Sequence, residues 1–268
     1  MIKIIFCDMD GTLLTSEKKL PEGFDELISL LNERGIIFAP TSGRSYASLL
    51  KMFPKYAQDF LFLSDNGTLA TYKGKRIFSQ PIERDTAIKI LRYAESIDNV
   101  LRVLCGEKNY ILAEQNRPYF TERLEKFSAS NAVVNAWEEI DDEPLKISFC
   151  DPTKNSAVNV YPFLAPFYDS MQVVLASDEW TDVTALGASK GAGVRAVQKL
   201  LGIAPEECAA FGDYMNDYEM LESVVYSFAM ANAHPDLKRI ARYETLSNDE
   251  DGVGAGIKKL LGCQSNLS

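Results

Sequence analysis

The feature that most constrains the fold is a series of short apolar runs, rich in β-branched and aromatic residues, that alternate with segments of helical spacing. The first run, residues 2–7, has the composition of a strand buried on both faces of a parallel sheet. Comparable runs occupy residues 35–39, 60–63, 209–211 and 224–229. Segments 21–34 and 194–201 carry apolar residues at helical spacing, and each precedes such a run. This order predicts an α/β fold with a doubly wound, Rossmann-like parallel sheet.

A different pattern fills the middle of the chain, where strand-like segments follow one another closely with about two helices among them. The strand-like segments are 101–105, 110–113, 146–149 and 172–175. A length of 268 residues fits two modest domains at roughly 150 residues per domain. We therefore predict a core domain formed by residues 1–82 and 184–268, with an α+β cap domain at 83–183 inserted into it.

A cluster of polar residues follows each of four apolar runs. The clusters are Asp8–Leu14, Thr41–Arg44, Ser64–Thr68 and Gly212–Asp217. Because ligands bind beyond the carboxyl ends of the strands in a doubly wound sheet, we expect the four clusters to meet at one edge. Their meeting would bring up to four carboxylates, from Asp8, Asp10, Asp213 and Asp217, into one small volume.

Such a group of carboxylates requires a cation. Two like charges about 4 Å apart repel each other by ~4 kcal/mol at an effective dielectric constant of about 20. A hard divalent ion relieves this repulsion, and Mg²⁺ suits an open site because it keeps waters and substrate phosphate among its ligands. We therefore predict that the cofactor is Mg²⁺.

The overall charge of the chain also indicates a metal ion at any phosphate site. The formal net charge is −10 and the isoelectric point is near 4.8, whereas proteins that bind nucleic acids normally carry a basic stripe that displaces counterions. We expect no nucleic-acid partner. An acidic protein can bind an anionic substrate only through a local cation or converging N–H donors, so a metal is expected wherever phosphate binds.

Paired carboxylates after the first strand suit the hydrolysis of a phosphate monoester. This reaction needs up to ~10²¹-fold acceleration, so dividing it into two displacements is a favourable route. A carboxylate nucleophile beside a metal ion can make the first displacement. A second carboxylate two positions along the chain could protonate the leaving alcohol and later activate water.

The motifs together resemble those of the haloacid dehalogenase (HAD) superfamily, and within it the Cof-type sugar phosphatases with a large α/β cap. They are D-x-D-G-T-L-L from residue 8, S-G-R from 42, S-D-N-G-T from 64, S-K-G from 189 and G-D-x-x-N-D from 212. The segments Ala229–Ala233 and Ser247–Val253 also agree with this family. The resemblance covers nearly the whole chain and implies a Mg²⁺-dependent phosphatase of small phosphate monoesters, such as sugar phosphates, with an aspartyl-phosphate intermediate.

The resemblance also implies a catalytic role for several residues. Asp8 would be the nucleophile and Asp10 the general acid/base, with Thr12 helping to orient Asp10. Lys190 would neutralise phosphate charge and hold Asp8. Ser42 would donate a hydrogen bond to the phosphoryl group.

Other matched residues would hold the metal or support the site. Asp8, the backbone carbonyl of Asp10 and Asp213 would bind Mg²⁺, with Asn216 and Asp217 in or just behind that shell. Gly43 and Arg44 complete the second motif, in which Thr41 is an alternative to Ser42 as the hydroxyl donor. Asn66 could contact the substrate or could simply occupy a turn before Gly67.

The cap would close over the metal site and choose the leaving group, because the core residues contact only the phosphoryl end of a substrate. The loops Gly106–Asn109 and Ser177–Trp180 are candidates for these contacts. The motifs do not separate water from an alcohol as the final acceptor, so a phosphotransferase or phosphomutase remains an alternative. A phospho-aspartate receiver module is a further alternative, although a receiver is a single domain of ~120 residues without such an insertion.

Several other classes of protein lack support in the motifs. An EF-hand would place Thr12 and Lys19 where the calcium loop needs acidic ligands. Gly191-x-Gly193-x-x-Ala196 mimics a dinucleotide fingerprint, but the preceding residues 182–189 do not have the composition of a strand. There is no Walker A motif, and the single histidine, His234, argues against histidine-based catalysis.

The remaining composition fits a cytoplasmic protein. The five cysteines have neither C-x-x-C nor zinc-type spacing, which predicts reduced thiols. They are Cys7, Cys105, Cys150, Cys208 and Cys263. We predict no secretory signal and no membrane interaction, since no apolar stretch approaches the ~20 residues of a membrane span. The expected partner is a small phosphorylated metabolite, and the expected state is a monomer or weak homo-oligomer.

Overall fold

A computed structural model describes residues 1–127 and 130–262, which form two compact units. The first unit contains residues 1–43 and 55–78 and the chain from Ser189 onward, and the second contains residues 44–54 and 79–188. The longer segment of the second unit, 79–188, therefore begins four residues before the predicted insertion and ends five residues after it. Its ends coincide with the end of one strand at Ser79 and the turn before the helix at Lys190.

Fourteen strands and nine α-helices lie within the described residues. The strands are β1 (Ile4–Asp8), β2 (Ile37–Thr41), β3 (Leu61–Ser64), β4 (Leu69–Tyr72), β5 (Lys75–Ser79), β6 (Leu101–Cys105), β7 (Asn109–Leu112), β8 (Asn131–Val134), β9 (Lys146–Cys150), β10 (Met171–Leu175), β11 (Trp180–Ala185), β12 (Cys208–Gly212), β13 (Tyr226–Ala229) and β14 (Tyr243–Glu244). The helices are α1 (Phe24–Glu33), α2 (Tyr46–Met52), α3 (Arg84–Tyr93), α4 (Pro118–Phe127), α5 (Ser156–Asn159), α6 (Lys190–Leu201), α7 (Tyr218–Glu222), α8 (Pro235–Ile240) and α9 (Gly252–Leu260).

The first unit is built on an eight-stranded sheet in the order β14-β13-β12-β1-β2-β3-β4-β5. The strands from β14 to β3 run parallel, and β4 returns antiparallel to β3. β1 lies at the centre between β2 and β12, and all five of its residues are buried. A central strand of a parallel sheet is covered on both faces, which explains its continuous apolar run. The predicted α/β fold with a doubly wound core is confirmed.

Helix α6 is the first helix of the first unit after the second unit ends at residue 188, and it carries a predicted site residue at its first position. The Ser189 hydroxyl caps the helix by accepting a hydrogen bond from the Ala192 N–H at 3.1 Å. A Cβ atom at Gly193 would lie 2.7 Å from the Gly67 carbonyl oxygen, so only glycine permits this approach. This contact holds the start of α6 against the segment that follows β3.

The second unit is built on a six-stranded sheet in the order β10-β11-β9-β6-β7-β8. Its neighbouring strands are antiparallel except for β7 and β8. One face packs against α3 and the turn at residues 161–167, and Phe120 and Leu124 of α4 pack on the other face. The unit thus contains its own hydrophobic core.

One interpretation of the sequence is wrong in this unit. Residues 182–185 do belong to a strand, since β11 spans Trp180–Ala185. Its polar composition reflects alternation in an antiparallel sheet, where successive side chains face opposite sides. A dinucleotide site remains excluded because β11 belongs to the sheet of the second unit and does not lead into α6 as part of a parallel βα unit.

The two candidate substrate loops lie at opposite ends of this second sheet. Gly106–Asn109 follows Cys105, which pairs with Lys146 at the start of β9. Ser177–Trp180 leads into β11, where Trp180 pairs with Cys150 at the end of β9. Five strand residues separate the two loops by about 14 Å, so one small ligand cannot contact both.

Four cysteines lie in the described residues, and each is a buried free thiol, as predicted; Cys263 lies outside those residues. Burial raises the pKa of the Cys150 thiol to about 12. Within residues 1–127 and 130–262, no helix is both long and apolar enough to cross a membrane.

Candidate active site

The predicted polar clusters follow strands whose carboxyl ends lie at one edge of the first sheet. Asp8 is the last residue of β1 and pairs in register with Thr41, the last residue of β2. On the other side of β1, Cys7 pairs with Phe211 of β12, one residue before Gly212. Because these neighbouring strands are parallel, the loops that follow them meet at the same edge.

A buried lysine joins two of the carboxylates. Lys190 is only 1% exposed, and its Nζ atom lies 2.5 Å from Asp8 Oδ1 and 2.5 Å from Asp217 Oδ1. Burial by itself would lower the pKa of Lys190, but the charges of Asp217 and Asp8 outweigh it and raise that pKa. The lysine is therefore a fixed positive charge between the two acids.

Asp217 holds the loop that carries Asp213. Its Oδ2 atom accepts hydrogen bonds from the backbone N–H groups of Asp213 and Tyr214, at 3.0 and 3.2 Å. Since Oδ1 binds Lys190, both carboxylate oxygens of this fully buried side chain have partners within the protein. This geometry suits a residue that supports the metal ligands from behind.

Asp8, Asp213 and Asp217 form a group with the donor chemistry of a divalent cation site. One carboxylate oxygen from each lies within 4.8 Å of the others. Three carboxylates against the one ammonium group of Lys190 leave an excess of two negative charges. Burial, followed by the charge of Asp217, raises the pKa of Asp8, and burial also raises the pKa of Asp213. A hard cation would offset this cost, so these residues fit the predicted Mg²⁺.

These pKa shifts predict a pH-dependent stability of the metal-free protein. A carboxylate whose folded-state pKa is raised above its ordinary value of 3.8 contributes less stability as the pH rises through the folded pKa. In EDTA we therefore expect Asp213→Asn to melt at a higher temperature than wild type, with a difference that widens as the pH rises above 3.8, the ordinary pKa of an aspartate. Calorimetry at each pH tests this.

Magnesium supplies the control for that experiment. With saturating Mg²⁺, the stabilising effect of Asp213→Asn should shrink or reverse, because the wild type gains a bound ion through this carboxylate. The asparagine oxygen can still accept the hydrogen bond of Thr12, so the change mainly removes charge. A variant that melts lower than wild type by the same amount at every pH in EDTA would contradict the assignment.

The structure corrects the predicted partner of Thr12. Its hydroxyl donates to Asp213 Oδ1 at 2.8 Å, rather than to Asp10. The cause is the tight turn after β1, in which Gly11 has φ 88° and a Cβ atom there would clash with the Asp213 carboxylate. Thr12 therefore orients Asp213, a predicted metal ligand.

Asp10 lies at a more exposed position. Its Oδ1 atom accepts a hydrogen bond from the Lys18 ammonium group at 2.9 Å, and both side chains are partly exposed. Lys18 had no predicted role, because a lysine eight positions after an aspartate has no distinctive pattern.

The second cluster favours Ser42 over Thr41. The Thr41 hydroxyl donates to the Ala39 carbonyl oxygen at 3.1 Å, which commits it to its own strand. The Ser42 backbone bonds to both neighbours in space, since its N–H donates to Leu63 O and its carbonyl accepts from Asn66 N, each at 2.9 Å. This pairing brings the third cluster beside the second.

Asn66 lies against Gly43 in a strained loop. Asp65, Asn66 and Gly67 all have positive φ values, of 50°, 56° and 91°, a conformation that side chains adopt at a cost. The Asn66 Oδ1 atom is buried and has no hydrogen-bond partner among the described residues. A buried acceptor of this kind suits a donor on a ligand.

Two further matched residues lie in the segments that follow β12 and β2. Asn216 is exposed in the turn Met215–Asp217. Arg44 is partly buried and opens the segment 44–54 of the second unit. The structure thus brings together Asp8, Thr12, Lys190, Asp213 and Asp217.

Two residues near this edge had no predicted role, although both occur in segments that carried the resemblance. Asn232 lies in Ala229–Ala233 and Asn248 in Ser247–Val253, and both donate hydrogen bonds to the loop after β1. Sequence motifs located them, but only the contacts show what they bind.

Comparisons with known proteins agree with this architecture. YbjI of Escherichia coli K12, named 5-amino-6-(5-phospho-D-ribitylamino)uracil phosphatase, is 28% identical over 266 residues, which cover 97% of this chain and 96% of its own length. The phosphatase YwpJ of Bacillus subtilis is 27% identical over 290 residues, covering 97% and 100% of the two chains. The crystal structure of SMU.1108c from Streptococcus mutans is 26% identical and superposes with a TM-score of 0.84, over 98% and 100%.

The family assignment follows from a match along nearly the whole length. A sequence profile described as haloacid dehalogenase-like hydrolase matches residues 5–257, which include every residue of the cluster around Lys190. The predicted recognition is therefore confirmed, and the chain belongs to the haloacid dehalogenase-like hydrolases.

Proposed function

We propose that this protein is a Mg²⁺-dependent phosphatase that hydrolyses small phosphate monoesters through an aspartyl phosphate on Asp8. The observation that carries the proposal is the buried Lys190, which bonds Asp8 and Asp217 within an acidic group suited to a divalent cation. The enzyme class, a phosphoric monoester hydrolase, is that of the full-length relatives named as phosphatases.

In the first step, Asp8 attacks phosphorus. Its Oδ1 atom is held by Lys190 at 2.5 Å, so the other carboxylate oxygen is the proposed nucleophile. A bond forms between this oxygen and phosphorus while the bond from phosphorus to the leaving alcohol breaks. Asp10 supplies the proton that the departing alkoxide requires.

In the second step, water attacks the aspartyl phosphate. Asp10, now a carboxylate, takes a proton from the water as its oxygen bonds to phosphorus. The bond between phosphorus and Asp8 breaks, which releases inorganic phosphate and restores both carboxyl groups to their starting forms. The same residue thus serves as acid and then as base.

The phosphoryl group requires positive charge and hydrogen-bond donors. Asp8, Asp213 and the backbone carbonyl of Asp10 would hold the Mg²⁺, which supplies charge that offsets the phosphoryl oxygens. Lys190 adds a fixed ammonium group, and Ser42 is the proposed hydroxyl donor. Asn66, whose buried oxygen suits a donor, is a proposed substrate contact.

We propose that the second unit, through its longer segment 79–188, selects the leaving group. One face of its sheet carries a buried polar network, in which Ser148 Oγ donates to Asp182 Oδ1 at 2.6 Å and Lys146 Nζ lies 3.2 Å from Asp182 Oδ2. Such groups suit a hydroxyl-rich substrate, and YbjI is named for a phosphorylated ribityl compound. A sugar or sugar-alcohol phosphate is therefore the proposed class.

A panel of sugar phosphates, nucleotides, flavin mononucleotide and pyridoxal phosphate tests the function. We expect purified protein with Mg²⁺ to release inorganic phosphate, most rapidly from a sugar or sugar-alcohol phosphate, and EDTA to abolish the release. Absence of Mg²⁺-dependent release from the whole panel would refute the proposal. Phosphate that appears on an added alcohol or second sugar, instead of in solution, would favour a phosphotransferase or mutase.

A further inference from the structure

Two asparagines of the first unit fasten the loop that carries Asp10. Asn232 Nδ2 donates to the Gly11 carbonyl oxygen at 2.8 Å. Asn248 Nδ2 donates to the Leu14 carbonyl oxygen at 2.9 Å. The two bonds lie on either side of Thr12, so they hold the turn after β1 at both its ends.

The two asparagines are also bonded to each other. The Asn248 N–H donates to Asn232 Oδ1 at 3.1 Å, so the Asn232 amide accepts one bond and donates another. Beside them, Asp249 accepts hydrogen bonds from the N–H and the hydroxyl of Ser16, both at 2.7 Å. The loop from Gly11 to Ser16 is therefore fixed at three points to residues more than 200 positions away.

The segment that contains Asn232 also bonds to the loop of Asp213. The Met230 N–H donates to Gly212 O at 3.2 Å, and the His234 N–H donates to Asp213 O at 2.8 Å. A single segment, residues 230–234, thus bonds to the backbone of both catalytic loops. The distance between Asp10 and Asp213 depends on this segment.

The turn that contains Asn248 is itself held by hydrogen bonds. Asn248 is only 7% exposed. Around it, Gly252 N donates to Ser247 O at 3.0 Å and the Thr245 hydroxyl donates to Gly252 O at 2.6 Å. A turn closed by its own bonds can hold a neighbouring loop without moving.

We infer that Asn232 and Asn248 are positioning residues that set the orientation of Asp10 for proton transfer to the leaving alcohol, an inference that rests on the proposed function. The peptide of Gly11 directly follows Asp10, and glycine at φ 88° would otherwise allow many orientations there. The Asp10 side chain contacts the partly exposed Lys18. The bond from Asn232 to Gly11 fixes the backbone of the residue that directly follows Asp10.

Asn232→Asp is the main test, because it keeps the oxygen that accepts from Asn248 and replaces the N–H donor to Gly11 with a carboxylate oxygen. Asn232 is exposed, so the variant should fold. We expect kcat for an alkyl phosphate to fall about tenfold, since small misplacements of a catalytic group have effects of this size or larger. KM should change little. Asn32→Asp, the same change at an exposed position of α1, should stay within about twofold of wild type.

The leaving group distinguishes positioning of Asp10 from a general structural effect. Nitrophenolate departs without a proton, so the first-turnover release of 4-nitrophenol from 4-nitrophenyl phosphate should stay within about twofold of wild type in Asn232→Asp. Release from an alkyl phosphate, which needs the proton, should slow. Asn232→Ala, which loses the donor without adding charge, should show the same selectivity.

Two outcomes would overturn the inference. One is equal slowing of both leaving groups in the Asn232 variants, and the other is no slowing of the alkyl phosphate. Failure of the proposed function would give a different result, since Asp10→Asn would then leave turnover of the alkyl phosphate unchanged. Thermal melting of each variant shows whether it is folded at the assay temperature.

Discussion

Replacing Asp8 with asparagine should lower kcat by at least ~10⁴-fold, because an amide cannot act as the carboxylate nucleophile and removing a nucleophile has effects of this size. The variant should nevertheless fold. Asp8 lies in a group with excess negative charge, and burial raises its pKa, so removing this charge should not lower the melting temperature of the metal-free protein. Phosphate release and calorimetry on the same sample test both expectations.

Asp59→Asn is the matched control, since Asp59 is an exposed aspartate of the same unit and its substitution should leave turnover within about twofold of wild type. Acid quenching of wild type during turnover should also leave a phosphoryl adduct on the peptide that contains Asp8. A folded Asp8→Asn protein with turnover near that of Asp59→Asn would exclude covalent catalysis at this position.

Lys190→Met should abolish activity and reduce the free energy of unfolding by ~3–5 kcal/mol, because removing one partner from a buried ion pair leaves uncompensated buried charge. Three carboxylates would then share one small volume without the ammonium group that now lies 2.5 Å from two of them. Urea denaturation in EDTA measures the free energy of unfolding, and phosphate release measures the activity.

Lys199→Met controls for the loss of a lysine, since Lys199 is exposed on the same helix. This substitution should reduce the free energy of unfolding by less than about 0.5 kcal/mol. The double variant Lys190→Met/Asp217→Asn removes one buried negative charge with the positive one and should recover part of the stability but none of the activity. A double variant as unstable as Lys190→Met would show that charge balance is not the reason that Lys190 is buried.

Five strands of the first sheet, β1, β2, β3, β12 and β13, were predictable because each is a short run of mostly buried residues. The observed β1, β2, β3 and β12 each overlap a predicted run within one or two residues. β14 was not predicted, because its two residues at the sheet edge carry too little pattern. β11 was misjudged for another reason, since it is a buried strand with polar side chains, two of which, Thr181 and Asp182, are bonded to Ser156 and Ser148.

In the candidate site, the motifs identified residues, but their contacts could not be predicted from the sequence. The motif after β12 identified Asp213 and Asp217, and S-K-G identified Lys190. Neither motif showed that Thr12 bonds to Asp213, because the two residues are 201 positions apart in the chain. Their contact depends on how the turn at Gly11 meets the loop after β12. The bond from the Thr41 hydroxyl to Ala39 O also became visible only in the folded chain.

The sequence by itself determined the family, the parallel core and which aspartates are candidates for the site. Buried strands and the motifs after them are contiguous segments of the chain, so local sequence patterns reveal them. The tertiary structure alone decided which acid bonds to Lys190, which hydroxyl orients Asp213 and which asparagines hold the loop of Asp10. These are contacts between residues that chain order leaves far apart, so their geometry depends on the packing of the whole sheet edge and on no single segment.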